Sequence, residues 1–134
     1  MKRILLAYDG SEPSRRAADQ VALLAAKQPA SITVLVVGEL APSGYGSVSP
    51  VVEPEVYEGV AAEGLERVRN AVPEADARVV WGRPGEAIVE AAREGKYDLV
   101  VVGHRGKGGL ATLLLGSVAK HVIDHAPCSV LVVR

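Results

Sequence analysis

The chain has 134 residues, the size of one domain with a self-sufficient core. Its formal net charge of -1, from 15 Lys+Arg against 16 Asp+Glu, excludes a nucleic acid or anionic membrane surface held by bulk positive charge. A single Cys excludes a disulfide scaffold and most structural zinc sites.

No apolar run approaches the roughly 20 residues of a membrane helix, and Asp9 breaks the opening run too early for an export signal. A cytoplasmic protein is the expectation. With no Phe, its core must be built from Val, Leu, Ile and Ala.

The first strand is expected over Arg3–Tyr8, followed by the acidic turn Asp9-Gly10-Ser11. A helix follows from Ser11 to Gln28, with Ala17, Ala18, Val21, Leu24 and Ala25 on one face and Ser11 as its cap. Pro29 stops it. The second strand is Ile32–Val37. Gly38 to Glu53, rich in Gly, Ser and Pro, reads as a long loop of the kind used as a lid or binding loop.

Pro54 to Val72 carries Val56, Val60, Leu65, Val68 and Val72 on one helical face. A third strand, Ala77–Trp81, precedes a helix from Gly85 to Arg93, closed by Gly95 as a C′ glycine. The fourth strand is Leu99–Val102, the last helix Ser117 to Ala126, and the last strand Ser129–Val133. Continuous apolar strands alternating with helices define a single α/β domain over 1–134, an open five-stranded parallel sheet with helices on both faces.

Ligands in such sheets bind beyond the carboxyl ends of the strands, where the strand order reverses. After the fourth strand, residues 103–116 hold Gly103, Gly106, Gly108, Gly109 and Gly116, five of the 14 glycines. Glycines at a strand-to-helix junction let backbone N–H groups face an anion. Gly116 and Ser117 open the last helix, Ser117 as cap or phosphate ligand, and Arg105 and Lys107 add positive charge. No stretch matches GxxxxGK[ST]. Gly106 to Ala111 satisfies GxGxxA, but in the last βα unit rather than the first, which makes it a weak dinucleotide signal.

The spacing Gly103-x2-Gly106-x9-Gly116-Ser117 resembles the ATP-binding members of the universal stress protein family. The opening ILLAYDGSEPS and the ending HAPCSVLVVR resemble the first and last strands of that family, so the likeness runs the whole chain. The resemblance implies strand order 3-2-1-4-5 and a nucleotide in the cleft between strands one and four. It puts Ala7 and Asp9 by the adenosine and Val37 by adenine. It sets Gly103, Arg105 and Gly106 on the ribose and phosphate side, and Gly116, Ser117 and Val118 on the phosphates. His104, which the resemblance also puts among the cofactor-binding residues, and Ala119 fall where relatives often carry a hydroxyl, a departure that removes contacts to phosphate or metal.

The resemblance further implies ATP, with Mg2+ accompanying it, and a homodimer through Ser129–Val133, an apolar edge strand without charges. The expected function is a nucleotide-dependent regulator in the stress response, with at most slow hydrolysis or autophosphorylation. The alternative is a dimeric interaction module of the same fold that uses no nucleotide. No catalytic triad or carboxylate pair assembles from local spacing. His121 and His125, at i and i+4, read as a polar helix face rather than a metal clamp, Cys128 as a buried thiol and Trp81 as a cover for the sheet edge. Tyr45 and Tyr57 flank the long loop, within possible reach of a ligand.

Overall fold

A computed structural model describes residues 3–106 and 115–134. The elements run β1 (Arg3–Ala7), α1 (Glu12–Lys27), β2 (Ser31–Gly38), β3 (Leu40–Gly44), β4 (Ser47–Pro50), α2 (Pro54–Arg69), β5 (Asp76–Trp81), α3 (Pro84–Glu94), β6 (Leu99–Gly103), α4 (Ser117–His125) and β7 (Ser129–Val133). Five strands form one parallel sheet in the order β5-β2-β1-β6-β7. The order β5-β2-β1-β6-β7 differs from 3-2-1-4-5 in its numbering because β3 and β4 enter the count. Within the large sheet alone, the third strand lies beside the second, the second beside the first, and the fourth and fifth follow on the other side.

Alternate residues of the central strands supply two cores. Ile4, Leu6, Val34, Val36 and Val101 face Ala17, Ala18, Val21, Ala61 and Val68 of α1 and α2. Leu5, Leu35, Val100 and Val102 face Ile88, Val89, Ala92, Ala119 and Val122 of α3 and α4. Burial on both faces explains why these strands read as continuous apolar runs rather than alternating ones. Leu24, which the spacing placed on the buried stripe of α1, is instead 41% exposed, where it fronts a small surface pocket with Ile4 and Leu99.

Three local expectations are corrected. The stretch from Gly38 to Glu53 is not a plain loop: β3 and β4 pair antiparallel as a separate hairpin. Its tip, Gly44-Tyr45-Gly46, holds three consecutive positive φ angles of 93°, 50° and 76°, the handedness that suits a tight strand reversal. Ser11 does cap α1, accepting a hydrogen bond from the Ser14 N–H at 3.3 Å. The cap of α4, however, is Gly116, with Ser117 as the first helical residue and no side-chain cap bond. Gly95 ends α3 at φ -82°, and the left-handed residue is Lys96, at φ 51°. The glycine is needed there because a Cβ would overlap the Tyr97 ring.

Among the described residues, no helix is long and apolar enough to cross a membrane.

Candidate functional site

A cavity of about 340 Å³ opens at the carboxyl ends of β1, β2 and β6, where the strand order turns from β1 toward β2 on one side and β6 on the other. Its volume lies in the usual range for small-molecule sites. Ala7, Asp9, Val37, Gly103, Arg105, Gly106 and Val118 all line it. His104, Gly116 and Ser117 do not. Lys107, Gly108 and Gly109 lie outside the described residues.

The turn after β1 is shaped by its own side chains. Asp9 Oδ1 accepts the Ser11 N–H at 2.9 Å, closing an Asx turn. Gly10 supplies φ 81° within it, a conformation that costs glycine little. The Ser14 hydroxyl donates to the Ser11 carbonyl at 2.9 Å. These contacts hold Asp9 at the cavity wall and set the start of α1 beside β6.

Two of the motif glycines serve packing of the protein against itself. A Cβ on Gly103 would come within 2.7 Å of Pro13 Cβ and 3.0 Å of the Ser14 N, so Gly103 admits the start of α1 while lining the cavity. A Cβ on Gly116 would come within 2.8 Å of Arg105 Cα. The Gly116 N–H donates to the His104 carbonyl at 2.6 Å, so that N–H is spent on closing the chain before α4. Gly106 differs: among the described residues its added Cβ would meet only the carboxylate of Asp9, at 2.7 Å from Oδ2.

His104 is buried rather than part of the cavity lining. It is only 9% exposed. Its N–H donates to the Val133 carbonyl at 2.7 Å, and its Nδ1 is buried with no hydrogen-bond partner among the described residues. The residue joins the end of β7 to the approach to α4 by its backbone. The first N–H groups of α4, at Ser117, Val118 and Ala119, have no carbonyl within the helix to bond, by helix geometry. They carry the positive end of its dipole.

The opposite end of the cavity is apolar. Val36, Val51, Val52, Val56, Tyr57 and Val60 line it from β2, the hairpin exit and α2. Val56, expected on the buried face of α2, is half exposed because it fronts this cavity. The valines of this wall were not expected at the site. Their one signal in the sequence was the long segment before Pro54. Tyr45, the other tyrosine of that region, is fully exposed at the hairpin tip.

Tyr8 forms part of the floor. Its hydroxyl donates to Glu63 Oε1, which also accepts from Arg15 Nε at 2.9 Å. Burial, with the Glu63 carboxylate adding to it, pushes the Tyr8 hydroxyl up to about 12. The same contacts, Tyr8 first and Arg15 second, hold Glu63 below the usual carboxylate range. The trio ties β1, α1 and α2 together under the site.

The remaining polar candidates lie elsewhere. His121 and His125 stack with ring centroids 4.2 Å apart, and His125 Nδ1 lies 2.9 Å from the His121 carbonyl. Among the described residues no group of three His, Cys, Asp or Glu could hold a metal ion. Cys128 is half-buried, and burial pushes its thiol up, with Asp98 adding to the effect. That lowers the thiolate fraction on which cysteine reactivity depends.

The comparisons agree with one another. The Universal stress protein family profile matches residues 1–134. A universal stress protein of Thermus aquaticus is 40% identical over 99% of this chain and 98% of its own. Universal stress protein YxiE of Bacillus subtilis is 34% identical over 98% of each chain. A crystal structure of a universal stress protein in complex with cAMP superposes with a TM-score of 0.77 and 31% identity, covering 99% of this chain and 97% of that one. A parallel sheet with a cavity at its switch point, matched from end to end in sequence and in structure, makes this chain a member of the universal stress protein family.

Proposed function

We propose that this protein binds ATP, with Mg2+ accompanying the nucleotide, and acts in the cytoplasm as a nucleotide-dependent regulator rather than as a dedicated enzyme. The observation that carries the reading is the polarity of the cavity. One end is a wall of Val36, Val37, Val56, Tyr57 and Val60; the other brings Arg105, Gly106 and the start of α4 together. A planar base joined to a row of phosphates has the same polarity.

The residues fit such a ligand. The base lies against Val37 and the apolar wall, with Ala7 and Asp9 by the nucleoside. Arg105 and the N–H groups of Ser117 and Val118 face the phosphates, Arg105 by a charge-assisted bond and the helix by its dipole. Gly116 contributes by admitting the Arg105 backbone, not by its own N–H. Mg2+ is usually held by one or two carboxylates, phosphates and water, and the Asp9 carboxylate lies beside Gly106. The relative solved with cAMP supports an adenine ligand.

A second copy pairs along the outer edge of β7, whose Val130, Leu131, Val132 and Val133 are only partly buried within one chain. Sedimentation velocity is expected to give twice the 14.0 kDa chain mass; a monomer mass removes this part of the proposal.

The decisive test is to denature the purified protein and assay the released nucleotide, with calorimetric titration of ATP in the presence and absence of Mg2+. Bound or titratable ATP is the expected result. No ATP by either route overturns the reading in favour of a nucleotide-free interaction module, and steady turnover far above background overturns the regulator in favour of an enzyme.

A further inference from the structure

The apolar end of the cavity is braced more firmly than a wall of valines requires. The Tyr57 ring meets Trp81 edge to face, centroids 5.3 Å apart and planes at 82°. The Tyr57 hydroxyl accepts the Glu39 N–H at 3.2 Å. Glu39 is tied in turn, its carbonyl accepting the Val51 N–H at 2.9 Å. Trp81 lies across Gly38, where a Cβ would come within 2.5 Å of the indole, and the Gly38 carbonyl accepts the Gly82 N–H at 3.0 Å. A side chain missing at Gly38, one indole and one phenol thus form a single braced unit. Its innermost member, Tyr57, lines the cavity.

We infer that Tyr57 is a specificity-determining residue that selects ligands carrying a planar aromatic base, an inference that rests on the nucleotide reading above. A tyrosine offers a large rigid surface at little conformational cost, and bracing by Trp81 and Glu39 lowers that cost further. A base resting on a fixed aromatic side chain gains enough to move affinity about tenfold. Because Trp81 is the only tryptophan of the chain and touches Tyr57, its emission reports the event.

The test uses the full chain, its Tyr57→Leu and Tyr57→Phe variants, and two probes: ATP, and tripolyphosphate, which has the charges without the base. ATP is expected to shift Trp81 emission in the unaltered chain, and tripolyphosphate to leave it where it was. Tyr57→Leu should bind ATP about tenfold more weakly, while Tyr57→Phe, which keeps the ring and loses the Glu39 bond, should stay within about threefold. Should Tyr57→Leu fail to fold, the emission test on the unaltered chain decides alone. Tyr57→Leu binding ATP as tightly as the unaltered chain, or equal emission shifts with both probes, overturns the inference while leaving ATP binding in place. An unaltered chain that binds no ATP overturns the nucleotide reading itself.

Discussion

The two ends of the large sheet use polar groups in opposite ways. At the amino end the side chains satisfy one another. The Tyr97 hydroxyl donates to Thr33 Oγ1 at 2.8 Å, and the Thr33 hydroxyl donates to Asp76 Oδ1 at 2.7 Å. Arg3 lies over the Tyr97 ring, 4.7 Å from its centroid, and its Nε donates to the Gly95 carbonyl at 2.9 Å. At the carboxyl end the same strands deliver Asp9, Arg105 and the start of α4 to an open cavity. A buried polar network that is complete adds rigidity; donors gathered around a concave space make a binding site. One end holds the fold and the other leaves an open cavity.

That contrast can be broken at either end. The largest effect is expected from Tyr97→Ala, which removes a buried ring and its hydroxyl from the amino end. A loss of about 3–5 kcal/mol in urea-induced unfolding is expected, with ATP affinity of the folded fraction unchanged. A matching loss of affinity would mean that the ends are not separate. Gly103→Ala lies at the boundary of the two roles. Its new Cβ presses on Pro13 and the Ser14 N–H, so about 1–3 kcal/mol of stability should go, measured by the same transition.

Arg105→Ala should do the reverse. Stability is expected to stay within about 0.5 kcal/mol, while ATP affinity falls roughly tenfold, the size of one charge-assisted bond, in calorimetric titrations. Equal affinity would remove Arg105 from the phosphate end. The smallest effect at neutral pH belongs to Tyr8→Phe, about 1 kcal/mol for one hydrogen bond. Its pH dependence is sharper. The unfolded chain releases the Tyr8 proton near the ordinary value of 10.0, whereas the folded chain keeps it to about 12. Stability from this group is therefore whole below pH 10 and declines as pH rises from 10 to 12. Urea midpoints across that window should fall more steeply for the unaltered chain than for Tyr8→Phe.

The strands and helices were legible because burial on two faces writes itself as uninterrupted runs such as ITVLVV, and prolines and glycines punctuate them. The carboxyl-end location of the cavity was legible from the order of elements and from the glycines that follow the fourth strand of the large sheet. The roles of individual glycines were not. Gly103 and Gly116 make room for Pro13 and the Arg105 backbone, contacts between segments far apart in the chain that no local pattern encodes. Ser117 looked like a cap because serine favours that position, but Gly116 occupies it. The hairpin was hidden by Pro42, Pro50 and its glycines, which read as loop residues. Once β3 and β4 pair, Val51 and Val52 turn toward the cavity and the apolar wall comes into being.

The hairpin also sets where the folded chain can be cut. From Gln28 to Glu66 there is no Lys or Arg, so trypsin has no site in the most exposed element of the protein. Chymotrypsin has one aromatic site in the hairpin, Tyr45, fully solvent-exposed at the tip, and exposed loop tips are where proteases first nick a native chain. A single cut there falls outside the five-stranded sheet. The two fragments, one carrying β1 and β2 and the other β5, β6 and β7, should remain locked together by the strand pairing between them and separate only on denaturation.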